Sequence, residues 1–155
     1  MNTIAMTDRS PPSTDDLSFL STITLFRDIP NHDLRFLARL LRHQQYAAGE
    51  VIFEKDALTS DLVIIQDGTV SVYIPSAGQT LELARLGRGS YFGEMAIFDD
   101  YARSASTVAV TDVRVCLIGK DAFRSFLRFH PATLFQMCKV FSHRIRNTNS
   151  MLAKR

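Results

Sequence analysis

Residues 87–108 read Gly87-Arg-Gly-Ser-Tyr-Phe-Gly-Glu-Met-Ala-Ile-Phe-Asp-Asp-Tyr-Ala-Arg-Ser-Ala-Ser-Thr-Val108. A glycine-rich turn comes first and ends at Gly93, where the missing side chain lets another group approach the backbone closely. Glu94 to Phe98 can form one short helix. Arg103 then precedes an alternating run, Ser104 to Val110, that suits a strand. A bare turn leading into a helix start leaves backbone N–H groups unpaired, and such groups favour an anion. Arg103 adds a planar fork of donors that matches phosphate oxygens. Glu94 repels a lone anion, yet it fits a ligand that also carries hydroxyls, as a ribose does. A sugar phosphate therefore matches the pair better than an inorganic anion. Taken singly, Glu94 also reads as an ordinary acid at a helix start, and Arg103 as a surface partner of Asp99 or Asp100.

The flanking sequence supplies strands. Val51–Phe53, Asp61–Gln66, Thr69–Ile74, a segment through Leu81, Leu83 and Leu86, Ser104–Val110 and Val113–Ile118 are short and separated by turn residues. Asp67-Gly68 reads as a hairpin turn. The fold expected is mainly β with flanking helices: about seven or eight short strands in a small antiparallel barrel or jelly roll, N-terminal helices, a short helix at Glu94 and two C-terminal helices. Asp15 to Ile23 is weakly amphipathic. Residues 32–42 form a helix, with Asn31 as its N-cap. His43-Gln-Gln ends it.

Asp121 begins a short helix that stops before Pro131, and Pro131 opens the last, long one. There Leu134, Cys138, Phe141, Ile145, Thr148 and Leu152 recur at a heptad-like 4-3 spacing. That seam packs on the barrel, or on the barrel and a partner helix. The domains expected are a flexible leader over 1–18, a ligand-binding unit over 19–130, and a lid or dimerisation helix over 131–155.

The 155 residues suffice for one domain with its own core. Net charge is +2, but Lys120 to Arg155 holds eight bases and one acid, against ten bases and fifteen acids before it. The basic helix faces either a partner or its own acidic body. Cys116 and Cys138 show no metal-like spacing and are expected to be buried, reduced thiols. Met1 to Ser18 lacks the pattern of a signal peptide, and no apolar run reaches the roughly 18 residues of a membrane helix. A cytoplasmic protein is expected. His32, His43, His130 and His143 show neither HxH nor HExxH spacing, so no metal is expected. No GxSxG elbow and no GxxxxGK[ST] loop appear, and no catalytic residue is identified.

Phe92-Gly-Glu-Met-Ala-Ile-Phe, followed by Ala102-Arg-Ser-Ala-Ser-Thr-Val, resembles the phosphate-binding cassette of the cyclic-nucleotide-binding domain family. That family includes the regulatory subunits of cyclic-AMP-dependent kinase, nucleotide-gated channels and the catabolite activator protein. The likeness runs from about Leu20 to Leu152, and includes the Leu-Phe-x-x-Ile-Pro approach to the first long helix and Ile65-x-x-Gly68-x-Val70. It implies an eight-stranded antiparallel jelly-roll barrel with helices at both ends, in which Glu94 accepts a hydrogen bond from the ribose 2′-hydroxyl. The N–H groups of Met95 and Ala96, with Arg103 and the Ser104 amide, would hold the cyclic phosphate. Gly93 would permit the approach, and Ala105 completes the stretch. Leu83, Leu86 and Phe92 would line the base side, with Ile145, Thr148 or Leu152 as the lid. Ser104 does not decide between cyclic AMP and cyclic GMP; cyclic AMP is expected first. Ala102 stands where a Pro often precedes the Arg.

The function expected is a non-enzymatic regulatory module that transmits ligand occupancy through its C-terminal helices. No helix-turn-helix is expected in this chain, so its partners are the nucleotide and either a second copy, through Pro131–Arg155, or an effector protein. Three other readings stand beside it. One is a sensor fragment of a larger transcription regulator, channel or enzyme. Another is a scaffold that no longer binds, disfavoured by Glu94 and Arg103. The third is a jelly-roll sugar-phosphate enzyme, disfavoured by its missing histidines.

Overall fold

The structure, a computed structural model, describes residues 14–154. Among these residues eight antiparallel strands form two four-stranded sheets. Their order is β1-β8-β3-β6 in one and β2-β7-β4-β5 in the other. The strands are β1 (Arg42–Tyr46), β2 (Val51–Phe53), β3 (Leu62–Asp67), β4 (Val70–Ser76), β5 (Gln79–Leu86), β6 (Tyr91–Phe92), β7 (Ser106–Ala109) and β8 (Val113–Ile118). The helices are α1 (Thr14–Thr22), α2 (Asn31–Arg39), α3 (Met95–Phe98), α4 (Lys120–Phe129) and α5 (Pro131–Ala153), with a 3-10 turn over Thr24–Phe26. This is the jelly roll expected, built as two sheets rather than as a closed barrel. Among the described residues no ladder joins the edges β1 and β6 to the edges β2 and β5. One of those edges, β6, is only two residues long. Of the leader expected over 1–18, residues 14–18 belong to α1, and residues 1–13 lie outside the described ones.

Burial explains the β3 sequence. Leu62 and Ile64 join the core that the helices build with Phe26, Leu37, Phe123 and Met137. Val63 and Ile65 point the other way, into the core between the sheets, with Val70, Phe92, Val113 and Val115. A strand covered on both faces loses its polar alternation, so Leu-Val-Ile-Ile reads as a continuous apolar run.

Three local readings change. The chain leaves α2 at Arg39 and enters β1, whose Arg-His-Gln-Gln-Tyr is polar and mostly exposed at a sheet edge. Polar and charged residues blunt such an edge, and they hide the strand from hydropathy. Pro30, not Asn31, is the N-cap of α2. Asp67-Gly68 does not close a hairpin, because β3 and β4 lie in different sheets. The tight hairpin is β4–β5, where Ser76 pairs with Gln79 across Ala77 and Gly78. Both turn residues have positive φ, 50° and 77°, as a type I′ turn requires.

Helix α5 docks through Thr133 and Met137, both buried, and through the half-buried Val140, Phe141, Arg144, Thr148 and Met151. Much of the apolar seam points outward: Leu134, Ile145 and Leu152 are 38%, 59% and 56% exposed. Cys116 is buried, as expected, but Cys138 is exposed on that outer face. Among the described residues no helix is long and apolar enough to cross a membrane.

Candidate ligand-binding site

A cleft opens where β6, α3 and the loop before β7 meet the face of the second sheet. All ten residues singled out from the sequence line it: Leu83, Leu86, Phe92, Gly93, Glu94, Met95, Ala96, Arg103, Ser104 and Ala105. Phe53, Val72, Ala84, Ala102, Thr107 and Arg144 complete the wall.

Two opposite charges are buried in this wall, Glu94 at 6% exposure and Arg103 at 4%. Arg103 is held by three hydrogen bonds. Its Nε donates to Thr59 Oγ1 at 3.0 Å, Nη1 to the Gly93 carbonyl at 3.0 Å and Nη2 to the Asp61 carbonyl at 2.9 Å. The guanidinium also stacks on Phe53, 4.0 Å from the ring centre. Three of five N–H donors are thus engaged, which fixes the plane of the fork. Burial lowers the proton affinity of the group, while Asp61 and Glu94 oppose that shift. The neighbouring backbone is clamped as well: Arg103 N–H donates to the Ala57 carbonyl, and Arg103 C=O accepts from Asp56 N–H.

Gly93 has a role that the sequence did not specify. Its φ is +80°, and a Cβ there would lie 2.6 Å from Arg103 Nη1 and 3.0 Å from the Asp61 carbonyl oxygen. The close approach that glycine permits includes that of the arginine itself. Glu94 then caps α3 without a side-chain cap bond, so its carboxylate bonds outside the helix. Met95 and Ala96, as the first residues of a helix, have N–H groups without an intrahelical acceptor.

Arg144 was not legible as a site residue. It reaches the cleft from α5, pairs with Glu94 Oε1 through Nη1, and donates from Nη2 to the Tyr91 carbonyl at 2.6 Å. Its guanidinium lies 5.2 Å from the Tyr91 ring centre. Burial, with Glu94 nearby, pushes the Tyr91 phenol up. Of the three lid residues considered, Ile145 and Leu152 are exposed, and Thr148 is half-buried and donates to the Arg144 carbonyl. The α5 side chain lining the cleft is Arg144. Further contacts tie α3 to the C-terminal helices. Lys120 donates to the Asp99 carbonyl and Asp100, Arg124 donates to the Ile97 carbonyl, and Phe98 packs edge-on against Phe141.

Among the described residues one other cluster carries ligating atoms. Asp16, His43 and Cys116 place theirs within 4.8 Å of one another. His43 Nε2 and Asp16 Oδ1 already bond at 2.9 Å, and burial pushes the Cys116 thiol up to about 12. A metal there would have to ionise that thiol first.

Comparison with known proteins agrees with this geometry. Residues 43–130 match the family model described as the cyclic nucleotide-binding domain. The chain is 29% identical over 136 residues to a CRP-like cAMP-activated global transcriptional regulator of Mycobacterium tuberculosis, covering 86% of this chain and 60% of that protein. It is 31% identical over 110 residues to the cAMP-dependent protein kinase regulatory subunit of Aspergillus fumigatus, covering 71% of this chain and 26% of that one. The structure of Thermus thermophilus catabolite activator protein superposes with a TM-score of 0.73 at 27% identity, over 83% of this chain and 61% of that one. The chain thus spans less than two thirds of these relatives.

Proposed function

The chain belongs to the cyclic nucleotide-binding domain family, and from that premise we propose that it is a non-catalytic regulatory module, acting in the cytoplasm, that takes cyclic AMP in preference to cyclic GMP. The observation that carries this reading is the burial of Glu94 and Arg103 in one cleft beside the start of α3. An acceptor for ribose and a donor fork for phosphate are thus shielded from solvent on one wall. The two sequence relatives, described as cAMP-activated and cAMP-dependent, support the choice of nucleotide. Residues 19–130 form the binding unit in this reading, and residues 131–155 the reporting helix. The unpaired N–H donors of Arg103 and the N–H groups of Met95, Ala96 and Ser104 take the cyclic phosphate.

Transmission runs through Arg144. Glu94 is paired with Arg144, so a ribose hydroxyl that engages Glu94 competes with the hold on α5. Occupancy thereby biases the position of the helix, as a population shift requires. Hydrogen exchange along α5 tests this. Cyclic AMP is expected to change protection around Arg144 in the wild type but not in Arg144→Gln; an equal change in both defeats the coupling.

The outward seam of Leu134, Cys138, Ile145 and Leu152 is read as the contact for a second copy of the chain. Sedimentation with and without nucleotide reads that directly, and a monomer in both assigns the seam to an effector protein. A sensor segment of a longer regulator is the second reading, favoured by the 60% coverage of the mycobacterial protein. The binding claim itself is tested by calorimetric titration with cyclic AMP, cyclic GMP and linear AMP. One cyclic nucleotide per chain, with linear AMP much weaker, is expected; heat from none of them sinks the proposal.

A further inference from the structure

The floor of the cleft is one row of side chains across the second sheet. Strand register sets Thr107 opposite Phe53 on β2 and opposite Val72 on β4, and Val72 opposite Ala84 on β5. All four line the cleft, and three are apolar. Thr107 is 1% exposed, and its Oγ1 has no hydrogen-bond partner among the described residues. A β-branched residue suits the centre of a sheet, but valine has that shape without a hydroxyl to desolvate. Burying an unpaired hydroxyl is a standing cost. Among the described residues two other hydroxyls share this condition, Tyr91 and Thr133, and neither lines the cleft.

We infer that the Thr107 hydroxyl contacts the polar edge of the ligand's base and sets which base the cleft prefers. The inference rests on the cyclic-nucleotide reading. The charged end, Glu94 and Arg103, takes the ribose and phosphate. The base is then left along the apolar wall of Leu83, Leu86 and Phe92, with Thr107 in the floor. A hydroxyl rotor both donates and accepts, so it can meet an amino or a carbonyl group. Adenine presents an amino group where guanine presents a carbonyl, so loss of the hydroxyl falls unequally on the two nucleotides.

The test uses Thr107→Val, which keeps the shape, and Thr107→Ser, which keeps the hydroxyl. Affinities for cyclic AMP and cyclic GMP are measured by calorimetry, and the melting temperature of each empty chain by calorimetric scan. Thr107→Val is expected to weaken the preferred nucleotide by about tenfold and the other by less. Thr107→Ser stays close to wild type. The empty Thr107→Val chain melts at the wild-type temperature or above, since no protein partner is lost. Unchanged affinity for both nucleotides, an equal loss for both, or a clearly less stable empty variant overturns the inference. A wild type that takes up neither nucleotide overturns the underlying reading as well. Normal wild-type binding that Thr107→Val leaves unaltered removes only the role given to the hydroxyl.

Discussion

Arg103→Ala is expected to lower the affinity for cyclic AMP by at least a hundredfold. Each charge-assisted bond to phosphate contributes roughly 1.5–3 kcal/mol. A fork supplies two such bonds, and every 1.4 kcal/mol is tenfold. Compensation by a neighbour is limited. Arg144, the other arginine in the cleft, is held by Glu94 and the Tyr91 carbonyl. The substitution also strips the Gly93 and Asp61 carbonyls of their donor, so some stability goes with it. Arg103→Lys separates the two effects: it keeps a charge but not the planar fork, and falls between wild type and alanine. Calorimetric titration of the three proteins, each first shown to be folded by thermal scan, measures this. An alanine variant that binds as tightly as wild type would show that the phosphate lies elsewhere.

The largest effect on stability is expected at Gly68. Its φ is +94°, and a Cβ there would lie 2.2 Å from the Asp112 carbonyl oxygen and 2.9 Å from Val113 Cγ2. The intruded atom is backbone, so it cannot rotate away. The corner is doubly tied: Thr69 N–H donates to Thr111 Oγ1 at 3.0 Å, and Val110 N–H to the Thr69 carbonyl at 2.8 Å. Both tied segments lead into the core between the sheets through Val70 and Val113. Left-handed strain of about 1–2 kcal/mol adds to roughly 1–3 kcal/mol of overpacking. Gly68→Ala therefore loses about 2–5 kcal/mol, a drop of roughly 10 °C in melting temperature for a domain of this size. Gly87→Ala is the control, because a Cβ there meets nothing within 4 Å. Equal melting of the two variants would contradict the corner's role.

What the sequence revealed of the site was what lies close together in the chain. The ten lining residues singled out from the sequence fall between Leu83 and Ala105, and their turn, helix start and arginine are local features that residue chemistry encodes. Thr107, Phe53, Val72 and Ala84 enter the cleft through strand register, which pairs segments more than ten residues apart and leaves no local mark. Arg144 was hidden for a different reason. The heptad-like spacing on α5 drew attention to the apolar seam, whereas the face turned to the body carries a charge, held 50 residues away at Glu94.

The fold divides in the same way. Apolar β3 and the glycine turns were readable, and so were α4 and α5 with Pro131 between them. The polar edge strand β1 was not, because its partner β8 supplies the reason for its conformation. Asp67-Gly68 has the chemistry of a hairpin turn, but turn chemistry does not say which sheet receives the next strand.

The central claim is that one cleft reads ribose and phosphate together, Glu94 for the one and Arg103 for the other. Titrating the wild-type chain with cyclic AMP and with its 2′-deoxy analogue tests it most directly. The account predicts one site per chain for cyclic AMP, and binding of the analogue weaker by about tenfold or more, the loss of one hydrogen bond to a buried carboxylate. Equal affinity for the two, or no binding of either, would contradict it.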